Sequence, residues 1–168
     1  TESSEHAAEY LPWFIKSSRP ELIEQFNIPL DEYLTRSRRL IERWPKQREE
    51  LLSDELTHTQ TNEYAARIMA AMESDRPYRF AGNVLNTGLI ENLPLDACVE
   101  VTCLADRNGV TPCHVGALPC QCAAVNRTSI NVQLLTIHAA LTHKREHVYQ
   151  AAMLDPHTAA ELTLDEIR

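Results

Sequence analysis

The sequence predicts a helix-rich α+β domain built around a small antiparallel sheet. Apolar residues recur at helical spacing before Ser74 and again after Pro119, whereas between Tyr78 and Val115 the runs become β-prone. A turn sequence, Asp106-Arg107-Asn108-Gly109, separates the clearest strand from its successor, so those two are expected to pair antiparallel. Helices flanking such a hairpin define the α+β class.

Taken in order, Ser18-Arg19-Pro20-Glu21 has the form of a capping box, and a short helix is expected from it through about Phe26. Pro29, Asp31 and Glu32 open a long helix, with acidic residues at the positive end of its dipole. Its stripe is Leu30, Tyr33, Leu34, Ser37, Leu40, Ile41, Trp44, Leu51 and Leu52. Pro45 lacks an N–H and is expected to kink or split it. Ser53 to Thr61 is polar and reads as a loop, after which Tyr64, Ala65, Ile68, Met69 and Met72 mark a helix ending near Ser74.

Tyr78 to Val84 and Cys98 to Leu104 are the next two strands, the second placing Cys98 and Cys103 on opposite faces. Val110 to Val115 returns as a partner, and Pro112 assigns it to an edge. Ile130, Leu134, Ile137 and Leu141 form one helical stripe, and Val148 to Leu154 belongs to another. Asp155-Pro156 has the form of an N-cap followed by Pro at the first helical position. Thr163-Leu164-Asp165-Glu166 is a second capping box, only two residues before Arg168. A helix announced that late, and Thr1 in place of Met, lead us to expect a piece of a longer protein.

A chain of 168 residues fits one domain, able to bury roughly 70% of its unfolded surface. Its 24 acidic and 16 basic residues give a formal charge of -8, which disfavours nucleic acid and acidic membranes as partners. No apolar run reaches the roughly 18 residues of a membrane-spanning helix, and no basic-then-apolar leader is visible. Five cysteines, an odd number with Cys120 and Cys122 too close for a secreted framework, point to a reducing cytoplasm. The 4 glycines form neither Gly-x-Gly-x-x-Gly nor a P-loop, so the chain shows no nucleotide-binding loop of its own.

Cys113-His114 and Cys120-Gln121-Cys122 lack the gap that lets two side chains meet one tetrahedral zinc, and all five thiols read as structural. His138, His143 and His147 lie four or five residues apart and read as a solvated or interfacial helix face. Arg36, Arg38, Arg39 and Arg43, interspersed with Glu42 and Glu49, read as a surface or subunit contact. Thr1-Glu2-Ser3-Ser4-Glu5-His6 differs: six hydrogen-bonding side chains precede the aromatic run Tyr10-Leu11-Pro12-Trp13-Phe14. Carboxylate and imidazole take sugar hydroxyls while aromatic faces take the C–H patches, so the segment as a whole is a candidate sugar-binding stretch. The competing account is a helix N-terminus with Glu2 and Glu5 facing the dipole.

The run Thr1 to Lys16 closely resembles a stretch in the second half of the α-galactosidases of glycoside hydrolase family four. So do Ile28-Pro-Leu-Asp-Glu-Tyr33, Gly82-Asn-Val84, Gly88-Leu-Ile-Glu-Asn-Leu-Pro94, Cys98-Val-Glu-Val101 and Ala151 to Ala160, in the same order. The resemblance implies that residues 1–168 are the C-terminal, substrate-side domain of a lactate-dehydrogenase-like glycosidase, lacking its N-terminal Rossmann domain. It implies NAD and Mn2+ as cofactors, both bound mainly by that absent part. In the family, NAD takes hydride from C3 of the sugar, a base takes the acidified C2 proton, the aglycone is eliminated, and water and hydride are then returned. The metal-binding Cys and His and the tyrosine base lie upstream of Thr1, so none of the five cysteines here corresponds to that ligand. Glu5 and His6 are carried over as lining the site of an α-galactoside such as melibiose. Residues 30–115 are expected to help pack a dimer or tetramer. An α-glucosidase or α-galacturonidase of the same family, and a non-catalytic interaction module, are the alternatives.

Overall fold

The computed structural model describes residues 11–53 and 61–168. The chain divides into two compact units, residues 2–61 and Asn62–Arg168.

In the first unit, Leu11 to Ile15 form a turn in which the Phe14 and Ile15 amides donate to the Leu11 carbonyl at 3.2 and 3.3 Å. Helix α1 (Glu21–Gln25) starts with Pro20 at the N-cap position, not Ser18 as expected. Pro20 already has helical angles, φ -61 and ψ -25, and the Glu21 carboxylate is taken by the Arg19 guanidinium rather than reaching back. The Phe14 and Phe26 rings meet edge to face, 5.8 Å apart. Helix α2 (Glu32–Leu52) passes through Pro45 without a break. Proline there costs one bond, the one that would run to the Ile41 carbonyl, and the turns on both sides carry the helix across. No residue of α2 is buried, and Tyr33, Leu40, Ile41, Trp44, Leu51 and Leu52 along its apolar stripe are all exposed.

In the second unit, helix α3 (Ala65–Ser74) precedes strands β1 (Tyr78–Leu85), β2 (Cys98–Asp106) and β3 (Gly109–Pro112). They form one antiparallel sheet in the order β1-β2-β3. The register pairs Phe80 with Cys103 and Val84 with Val99, then Leu104 with Thr111. Gly109, at φ 108, completes the β2–β3 turn, and the Asp106 carboxylate accepts from the Asn108 amide at 2.7 Å. The expected partner strand extended to Val115. It ends instead at Pro112, which lies on the sheet edge where its missing N–H leaves no ladder bond unmade. The chain then turns away so that the Val115 amide meets the Leu89 carbonyl at 2.8 Å.

Alternation along β2 buries Val99, Val101, Cys103 and Ala105 and exposes Cys98, Glu100, Thr102 and Leu104. The buried face packs on Ala123 and Ile130 of helix α4 (Cys120–Thr142) and on Ile90, Leu93 and Ala97 of the β1–β2 connection. Gly82 sits where an added Cβ would lie 3.0 Å from Cys103 Sγ and 3.1 Å from the Phe80 ring, so the strand's close packing requires glycine.

Helix α5 (Arg145–Leu154) packs back along α4 and is followed by α6 (Pro156–Glu161) and α7 (Leu164–Ile167). The Asp155 carboxylate caps α6, accepting from the Thr158 amide at 2.8 Å with Pro156 in the first turn, as the sequence implies. The Thr163–Glu166 capping box is formed as well. No helix among the described residues is long and apolar enough to cross a membrane.

Candidate functional site

Glu5 and His6, the pair singled out from the sequence, lie outside the described residues, as does Tyr10. The aromatic run that follows them is described: Pro12 is buried, whereas the Trp13 ring is 60% exposed beside the Leu11 turn. A tryptophan face open in this way is the type of surface on which a sugar's C–H patch packs.

The second unit contributes one irregular segment of high internal order, the connection from Asn86 to Ala97. Asn86 is fully buried. Its Nδ2 donates to the carbonyls of Ile90, Leu93 and Pro94 at 3.0, 3.1 and 3.0 Å, and its Oδ1 accepts from the Ile90 amide at 2.7 Å. Both amide hydrogens are thereby used, shared among three carbonyls. Asn92 acts across a longer range. Its Nδ2 donates to the Leu118 carbonyl at 2.8 Å and its Oδ1 accepts from the Leu118 amide at 2.9 Å. Between these anchors Thr87, at φ 43, and Gly88, at φ 92, hold left-handed conformations. For a β-branched residue that backbone is strained, and the surrounding bonds over-determine it. On the outer side Glu91 and His114 lie 3.3 Å apart, both exposed. Sequence reasoning picked out the Gly88–Pro94 run but missed Asn86. The available signal was an Asn at a strand end, two residues before a glycine, where Asx geometry is common.

Among the described residues no group of three or more His, Cys, Asp or Glu could hold a metal ion. The five thiols are free, with Cys103 buried and Cys98, Cys113 and Cys120 exposed. Cys98 and Cys103 do face opposite sides of the sheet. The described residues therefore do not fit a manganese centre. The expected histidine row does not lie on one helix: His143 ends α4 at φ 56, and His138 and His147 stand on α4 and α5. Two carboxylates are held below their ordinary range. Glu21 is lowered by its bond from Arg19, and Glu166 by the Thr163 amide and then the Thr163 hydroxyl.

The domain architecture is that of solved family-four glycosidases. A 6-phospho-β-glucosidase from Thermotoga maritima, crystallised with manganese, NAD+ and glucose-6-phosphate, superposes with a TM-score of 0.66 over 90% of this chain and 36% of its own, at 18% identity. At that identity the likeness defines the fold alone. Residues 1–158 match the family 4 glycosyl hydrolase C-terminal domain, and the chain belongs to that family. It is 60% identical to an alpha-galactosidase of Bacillus subtilis (strain 168) over 168 residues, 99% of this chain and 39% of that protein. It is 36% identical to an alpha-galactosidase of Rhizobium meliloti (strain 1021) over 178 residues, 99% of this chain and 36% of that protein. The chain thus spans less than two fifths of either relative.

Proposed function

We propose that this chain is the C-terminal, substrate-side part of an α-galactosidase that hydrolyses α-galactosides such as melibiose by NAD-dependent oxidation and elimination. The observation that carries this reading is 60% identity to an alpha-galactosidase along the whole chain. A site built to hydrogen-bond a particular hydroxyl rejects an analogue that lacks it. Glu5 and His6 are assigned to the sugar hydroxyls, with the exposed Trp13, seven residues beyond His6, as the apolar complement. NAD and Mn2+ are assigned to the remainder of the longer protein, since the described residues contain neither a glycine-rich loop nor three convergent ligands.

The open apolar stripe of α2 supports a homo-oligomer, dimer or tetramer, with this helix in the contact. Free thiols accord with a cytoplasmic location. The test compares kcat/KM of the intact protein, supplied with NAD and Mn2+, on nitrophenyl α-galactoside, α-glucoside and α-galacturonide. The galactoside is expected to be turned over fastest. Faster turnover of either of the others would replace the galactosidase reading with that activity.

A further inference from the structure

The turn between α4 and α5 brings together two imidazoles that the sequence separates by nine residues. The His138 and His147 rings lie with centroids 4.5 Å apart and planes inclined by 59°. His147 Nδ1 is 2.9 Å from the Gln150 Oε1, an acceptor, so the proton of the neutral ring sits on Nδ1. The opposite nitrogen, His147 Nε2, then carries a lone pair, and it is buried without a hydrogen-bond partner. A ring whose one nitrogen is fixed by a carboxamide oxygen and whose other presents an unused lone pair beside a second imidazole has the arrangement of a metal-ligating histidine.

We propose that His138 and His147 form a binding site for a divalent transition cation of the imidazole-preferring kind, Cu2+ or Ni2+. The ring separation is short enough for both imidazoles to reach one cation. With a metal–nitrogen bond of about 2.0–2.1 Å, each ring centroid stands about 3.2 Å from a shared metal. Centroids 4.5 Å apart then subtend about 90° at the metal. A right angle is the cis relation of square-planar or octahedral coordination. Imidazole donors and the order of divalent affinities favour Cu2+ and Ni2+ and disfavour Mn2+ at the same pair. His138 is exposed, which gives the cation its route in. Asp96 and Asn131 line the open cleft beside His138 and place a carboxylate on that approach. No third His, Cys, Asp or Glu joins the pair among the described residues, so the remaining positions fall to water or an external ligand.

The test uses the metal-free protein without a histidine tag. With the exposed thiols of Cys98, Cys113 and Cys120 alkylated beforehand, calorimetric titration with Cu2+ is expected to saturate at one equivalent, and the electron paramagnetic resonance spectrum is expected to show coupling to two imidazole nitrogens. His138→Ala and His147→Ala should each weaken binding by more than tenfold, and Gln150→Leu by roughly 10–100-fold through loss of the orienting bond. His143→Ala, at the turn, should leave affinity unchanged. The spectrum of the unaltered protein reads the site even where His147→Ala destabilises the helix pair. Absence of nitrogen coupling, or full-strength binding in the His138→Ala protein, would overturn the proposal.

Discussion

Asn86→Ala tests whether one side chain holds the β1–β2 connection together. The substitution removes four contacts, but they are not equal. The Ile90 carbonyl also accepts from the Leu93 amide at 3.3 Å, and the Pro94 carbonyl from the Ala97 amide at 3.2 Å, so each keeps a partner. The Ile90 amide and the Leu93 carbonyl depend on Asn86. Two buried groups left unsatisfied, at about 1–3 kcal/mol each, give a loss of about 2–6 kcal/mol. A central value of about 4 kcal/mol lowers Tm by roughly 8–16 °C in a domain of this size. Urea denaturation gives the free energy, and thermal melting gives Tm. Asn86→Asp supplies the direction check. It keeps the acceptor for the Ile90 amide but turns an anionic oxygen toward the carbonyls, and burial raises the folded-state pKa of such an acid. Its destabilisation is therefore smallest below the unfolded carboxylate value and grows as pH rises toward the raised one. A loss under about 1 kcal/mol for Asn86→Ala, or an Asn86→Asp protein no less stable at pH 7 than at pH 4, would refute the role given to this residue.

Two further outcomes are expected. Glu166 has a depressed folded-state pKa, so its stabilisation of the last turn is complete above the unfolded carboxylate range and is lost as pH falls through the folded value. The Thr163 amide, which donates to Glu166 Oε2 at 2.8 Å, should report that loss as a titrating NMR shift, and Glu166→Gln should abolish the titration. In the intact enzyme, Glu5→Ala and His6→Ala should each lower kcat/KM for an α-galactoside by roughly tenfold or more, as expected when a charge-assisted hydrogen bond of about 1.5–3 kcal/mol is lost. Unchanged kinetics beside a stability loss of about 0.5–2 kcal/mol would assign them to helix capping instead.

The elements legible in the sequence are those whose signals close over a few residues. Asp155-Pro156 defines its helix start because the capping bond spans three residues, and β2 is readable because its alternation meets one buried face. Legibility fails where a distant or competing contact decides. Ser18 is not the cap: Pro20 already holds helical angles, and the Glu21 carboxylate meets Arg19 instead of reaching back. Pro45 does not break α2 because one absent bond is outweighed by the helical turns around it. His138 and His147 meet only because His143 takes a left-handed conformation and reverses the chain, which no helical spacing anticipates.

The run Gly88–Pro94 joins the two kinds of information. Its resemblance to the family is strong, yet most of its residues answer to folding. Ile90 and Leu93 enter the core, Gly88 takes φ 92, and the Asn92 side chain clamps Leu118 across the fold. Its likeness to relatives therefore follows from the architecture and assigns no residue of it to the sugar. The N-terminal run stands differently. Trp13 remains 60% exposed. A singly exposed tryptophan is ordinary on a protein surface, as the exposed Trp44 also is; what sets this stretch apart is the run of hydrogen-bonding side chains before it. For this reason the Thr1–Phe14 segment is where mutation should separate catalysis from folding.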